Sequence, residues 1–220
     1  MSESMRRREA RIRAGAVFIL GWLLVTGCAG GGATPPDVTR YVLESPRSLE
    51  EMKEEVPCSR GTITVRRFSS AEACNGTAML YSRGSGEQGA YRYHRWWNTP
   101  AEMVTDFLMK ELSRSGLFTA VFTAYTSERS RYQLEGRVTD CIEIIDADGR
   151  RVVLGFTVAL LDVKGDRLRG RLVFQKNYRA EKACRPETPA GFARVAGDIM
   201  GELSKKLISD ITDAIEQDRE

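Results

Sequence analysis

The chain of 220 residues holds a single histidine, His94. A His-rich metal site is therefore excluded, and any serine or cysteine nucleophile would have to use this one imidazole as its base. The five cysteines include no C-x-x-C pair, which argues against the common zinc and dithiol spacings. Long apolar runs are also missing: the stretch from Ala14 to Val25 has about twelve residues, whereas a spanning helix needs roughly twenty. Strong charge of one sign is absent too, the formal net charge being +3.

What is present at the start is a targeting pattern. Arg6, Arg7, Arg8, Arg11 and Arg13 precede the short apolar stretch, and Val25-Thr26-Gly27-Cys28 follows it. Small residues before a cysteine resemble the bacterial lipobox, in which the cysteine carries diacylglycerol and becomes an acylated N-terminus. Cys28 is thus the expected lipidation site, and residues 1–27 the expected leader. Two or three acyl chains hold a protein on a bilayer where one would not, so the mature chain is expected to be anchored without spanning. Loss of the leader removes five basic residues and two acidic ones, Glu3 and Glu9, and brings the net charge close to zero. The argument for a nucleic-acid partner goes with it. Residues 28–39, rich in Gly and Pro, read as a tether. Ala29, standing where an aspartate tends to retain bacterial lipoproteins in the inner membrane, leans towards outer-membrane sorting. Residues 40–217 are enough for one domain.

Within that domain the period of hydrophobicity marks the elements. Arg40 to Glu44 reads as a short strand, Ser48 to Glu55 as a polar turn of helix, and Thr62 to Phe68 as a strand with one buried face. Met79 to Ser82 and Ala90 to Trp97 flank a glycine-rich connection and read as a hairpin. Thr99-Pro100-Ala101-Glu102 has the form of a capping box with proline in the first turn. Met103, Val104, Phe107, Leu108 and Leu112 then form one stripe, and Ser115-Gly116 closes the helix.

Three strands follow as an antiparallel meander. In the first, Tyr132, Leu134, Gly136, Val138, Ile142 and Ile144 are expected to face the core, with Gln133, Glu135, Arg137, Thr139 and Glu143 facing away. Val152 to Leu161 returns as an inner strand, and Leu172, Phe174 and Tyr178 lie on the third. Pro189 opens a last helix with Phe192, Ala196, Ile199, Leu203, Leu207, Ile211 and Ile215 on one stripe. The fold class expected is α+β: a mostly antiparallel sheet with a central helix and a C-terminal helix packed on one face.

The run Arg95-Trp96-Trp97, then Pro100-Ala101-Glu102-Met103, Leu108, Leu112 and Ser115-Gly116-Leu117-Phe118, resembles the signature of the ABC-type transport auxiliary lipoprotein family. The similarity extends from about Arg40 to the C-terminus. It implies a non-catalytic role beside an Mce-domain protein and ABC transporter subunits, moving lipid or other apolar molecules between two membranes, and it implies ring-like self-association. Arg95, Trp96, Trp97 and Pro100 become candidate interface residues. On an extended strand Trp96 and Trp97 point to opposite faces, one into the core and one towards a partner subunit or a lipid tail. The early cysteines and the acidic stretch Ser48 to Glu55 depart from the family pattern.

Other constellations dissolve on context. Gly84-Ser85-Gly86-Glu87-Gln88-Gly89 copies a dinucleotide fingerprint but leads into aromatic strand where a helix is required. Asp146-Ala147-Asp148-Gly149 starts like a calcium loop and lacks its closing glutamate. Gly197 and Gly201 have small-xxx-small spacing, read here as close helix-on-sheet packing. His94 reads as an ordinary strand residue. Cys58, Cys74, Cys141 and Cys184 allow three disulfide pairings; Cys58 with Cys74 and Cys141 with Cys184 are preferred, on the idea that a meander brings the ends of its first and third strands together. No catalytic residue, metal or cofactor is expected. The alternative function is an envelope-assembly lipoprotein: a cell-wall synthase activator, or a factor in outer-membrane-protein or lipopolysaccharide assembly.

Overall fold

The computed structural model describes residues 37–44, 61–84, 86–126, 130–164 and 170–217. The leader, Cys28, most of the tether, the Ser48 to Glu55 stretch and Cys58 lie outside them. Residues Val38–Glu220 form one compact unit with its own core.

The strands are β1 (Thr39–Tyr41), β2 (Thr62–Val65), β3 (Ser69–Ser70), β4 (Ala78–Arg83), β5 (Glu87–Trp96), β6 (Ala120–Thr123), β7 (Tyr132–Asp146), β8 (Gly149–Asp162) and β9 (Arg171–Ala183). Helix α1 (Pro100–Arg114) lies between β5 and β6, and α2 (Pro189–Gln217) follows β9. All nine strands join one sheet. The hairpin β4–β5 and the meander β7–β8–β9 form as the hydrophobic pattern predicts.

The expected dominance of antiparallel pairing is not found. Five of the eight strand pairings are parallel, and the sheet is mixed. The reason is the length of β7. One of its edges is filled by β8, while the other is shared by β2, β3 and β4, each parallel to it at successive positions. Strands of two to six residues cannot fill such an edge alone, so three of them line up along it.

A second correction concerns the facing of β7. Its ladder with β8 shifts between Val138 and Asp140, and this bulge exchanges the two faces beyond it. Tyr132, Leu134 and Val138 are buried as expected, but past the bulge it is Cys141 and Glu143 that are buried, Glu143 with no exposure at all. Ile142 and Ile144, assigned to the core by alternation, are each only partly covered in the same strand.

Helix α1 begins as its capping box requires: Thr99 Oγ1 accepts from the Glu102 amide at 3.3 Å, and the Thr99 amide donates to Glu102 Oε2 at 3.0 Å. Val104, Leu108 and Leu112 are fully buried, and Gly116 takes the left-handed conformation with φ +67°. All seven stripe residues named on α2 are buried. The two helices touch each other and both pack on the sheet. Edge-on packing of Trp96 against Phe192, ring centroids 5.2 Å apart, joins the end of β5 to α2.

Gly197 admits another contact. A Cβ there would sit 2.0 Å from the Glu44 carbonyl oxygen, so the glycine exists for the chain leaving β1, not for the sheet. Leu43 in that segment is buried. Gly197→Ala is expected to lift residues 42–44 off α2 and to cost about 1–3 kcal/mol. Thermal unfolding checks it; an unchanged melting temperature would mean that this crossing does not matter.

Candidate interaction surface

The strand-to-helix joint of β5 and α1 positions the surface features. At the end of β5 the alternation of a strand sends Trp96 inward, with no exposure, and the next residue outward: Trp97 is 62% exposed. The Trp97 amide still donates to the Tyr41 carbonyl at 2.7 Å, so β1 holds the exposed ring's backbone in place. Pro100 is buried in the first turn of α1, and Glu102 is engaged in the cap and with Arg67. Of the four motif residues singled out, Trp96 and Pro100 are therefore structural, while Arg95 and Trp97 look outward.

A groove of about 550 Å³ runs beside Trp97, between residues 42–44 and the outer side of α1. Val42, Trp97 and Phe107 give it an apolar wall, and Lys110, Glu44 and Arg114 give it charge of both signs. On the other flank of α1 a smaller hollow of about 190 Å³ is lined by Arg67, Met109 and Tyr125, the last being 85% exposed. Asn98 and Asp106 line both, so α1 is a ridge between them. Tyr125 and the groove were not foreseen from sequence, since an exposed tyrosine in a loop carries no periodic signal.

His94 accepts or donates a hydrogen bond between Nδ1 and the Tyr41 hydroxyl at 3.1 Å and packs edge-on to Tyr91. It serves the β1–β5 pairing. Beside it lies a polar cluster hidden by the bulge of β7: the Tyr91 hydroxyl donates to Glu143 Oε2, Arg150 donates to the Tyr91 oxygen at 3.1 Å, and Arg150 stands 3.7 Å from the same carboxylate. Burial first, and then the Glu143 carboxylate, push the Tyr91 phenol far above its ordinary range. Among the described residues no group of three His, Cys, Asp or Glu side chains could hold a metal ion. Among them also, no helix is long and apolar enough to cross a membrane.

Cys74, Cys141 and Cys184 are buried free thiols. The expected Cys141–Cys184 disulfide is not made, and the meander explains why. Cys141 stands opposite Leu154 of β8, whereas the Cys184 amide bonds to the Arg150 carbonyl. The two thus flank β8 from opposite sides and are offset by four residues, about 13 Å along the strand, beyond the reach of about 7 Å between bridged Cα atoms. The error lay in taking Cys141 for the end of its strand; β7 continues to Asp146. The Cys58–Cys74 pairing falls on a residue outside the described ones.

Fold and surface define a mixed-sheet domain with a grooved helix ridge on one side. The chain belongs to the family of ABC-type transport auxiliary lipoprotein components, whose pattern it matches over residues 41–207. No characterised protein matches it in sequence. Among solved structures, a Xanthomonas campestris protein of the same family superposes with a TM-score of 0.67 at 17% identity, covering 83% of this chain and 99% of that one. A second solved protein superposes at 0.60 with 15% identity, covering 80% and 99%. At these identities the two establish the shared fold.

Burial, with Glu143 adding to it, pushes the Cys184 thiol up to about 12, and burial also raises Cys74 and Cys141. A raised value favours the unreactive thiol, so at pH 8 roughly one ten-thousandth of Cys184 is thiolate. Alkylation followed by peptide mass spectrometry is expected to leave Cys184 unmodified in the native reduced protein at pH 8, with labelling rising only as the pH climbs towards 12 or the chain unfolds. Fast native labelling at pH 8 would contradict the burial described.

Proposed function

We propose that this protein is a non-catalytic component of an Mce-type ABC transport system, anchored by Cys28 to the periplasmic face of the outer membrane. Its task is to dock protein subunits so that lipid or another apolar molecule passes between the two membranes. Family membership over residues 41–207 supports the transport role. The observation that carries the docking role is Trp97, held outward at the lip of a groove by the burial of its neighbour. A large exposed aromatic ring beside a partly apolar hollow with a polar rim has the composition of a binding hot spot.

The arrangement separates the two jobs of the molecule. Acyl chains on Cys28 and the tether to residue 39 keep it at the membrane, and the α1 ridge meets the Mce-domain protein or the permease. Copies of the chain also associate, using the second flank of α1 with Tyr125.

In a pulldown from membranes, the wild-type chain is expected to recover Mce-domain and permease subunits, and Trp97→Ala to weaken that recovery about tenfold or more. Circular dichroism and melting should be unchanged, because the ring is at the surface. Full recovery by the variant would remove the groove from the account. Recovery of a penicillin-binding protein or a barrel-assembly component would favour the envelope-assembly alternative.

A further inference from the structure

The sheet has a second exposed feature that neither the fold nor the groove uses. Strand β1 is an edge strand, and it pairs with β5 in parallel register: Thr39 with His94, Arg40 with Arg95, Tyr41 with Trp96. Tyr41, His94 and Trp96 face the core side, as their mutual contacts and burial require. Arg40 and Arg95 are therefore neighbours on the opposite face. Two like charges set directly across a ladder repel and destabilise it. Neither arginine, nor Arg92 nearby, makes an ion pair with a carboxylate among the described residues, whereas Arg150, Arg151 and Arg179 of the sheet do.

Apolar groups are interleaved with these cations. Val38, two residues before Arg40, is 36% exposed. The Arg92 guanidinium lies over the Tyr93 ring at 5.3 Å. Arginine mixed with tyrosine is a composition that settles at the boundary between lipid headgroups and acyl chains. An anionic headgroup layer would also relieve the Arg40–Arg95 repulsion, which no carboxylate of the described chain does. Asp37 and Glu44 bracket the strip at its two ends and leave its middle cationic.

We propose that the outer face of β1 and β5, centred on Arg40 and Arg95, is a docking surface for an anionic lipid bilayer. The proposal rests on the lipid-anchor reading of Cys28 only for its orientation. Nine residues separate Cys28 from Val38, so an acylated Cys28 keeps the start of the domain within about 35 Å of the bilayer. The first strand is then the part of the domain nearest the membrane, and its local lipid concentration is high. The anchor sets the distance and the arginine strip sets the orientation, which leaves the groove beside α1 open to protein partners.

The test uses the chain from Ala29 to Glu220, which keeps the compact unit and drops both the leader and the acylation site. Co-sedimentation with phosphatidylcholine vesicles containing phosphatidylglycerol is expected to exceed that with phosphatidylcholine alone, and to fall as salt is added. Arg40→Gln and Arg95→Gln are each expected to weaken binding about fivefold. Lys110→Gln, which removes a cation from the groove, should leave it unchanged. Equal loss with Lys110→Gln, no loss with the arginine variants, or no preference for anionic vesicles would overturn the proposal. So would a change of oligomeric state in Arg95→Gln with vesicle binding intact, since the strip would then face a second copy. Failure of the anchor reading shows separately, as an unmodified Cys28 in the mass of the full-length protein.

Discussion

The structure depends on how β7 distributes its two edges. A strand of fifteen residues is longer than every neighbour, only β8 with fourteen coming near it, and the unpaired backbone of its second edge would be costly inside a covered sheet. Three short parallel strands fill it in chain order, β2 at its start, β3 in its middle and β4 towards its end. That arrangement brings β5, hairpin partner of β4, to the far side of the sheet and leaves β1 as the edge beyond it. The Trp97 groove and the arginine strip both lie on the β5–β1 side or on the helix that β5 leads into.

The pair Trp96–Trp97 converts this frame into a surface. Burying Trp96 against Phe192 removes a large apolar area from water, enough to accept that its indole N–H finds no partner in the core. Because Trp97 follows directly and its amide is still held by the Tyr41 carbonyl, a fixed Trp96 fixes the direction of Trp97. The capping box at Thr99 then turns the chain at once into α1, and residues 43 and 44, with the Glu44 backbone set against Gly197 of α2, close the groove from the other side. Packing of one ring thus decides the exposure of the next, and the exposed wall of the groove is a consequence of the core.

Local signals in the sequence were a sound guide wherever one short stretch decides the outcome. The capping box, the left-handed Gly116, the β4–β5 hairpin, the meander and the stripe of α2 all follow from neighbours in the chain. What could not be seen depends on distant partners. Parallel pairing of β2, β3 and β4 with β7 has no local signature, because the strands it joins are separated by many residues. The bulge near Asp140 has none either, and it reversed the assignment of Glu143 and Ile142. The same blindness to strand length misplaced the Cys141 partner. Of the surface, the sequence showed that one ring of the Trp96–Trp97 pair would face outward without saying which, and marked Arg95 only through the family motif, while the groove exists only once residues 42–44 meet α1.

The central claim is that the ridge of α1 and its groove are where this family member meets the rest of its transporter. Hydrogen exchange of the lipidated protein, alone and with the Mce-domain and permease subunits, tests this directly. The account predicts slower exchange in residues 42–44 and 97–111 on assembly, with β8 unchanged because it is already buried. Protection confined to β9, or none at all, would contradict it.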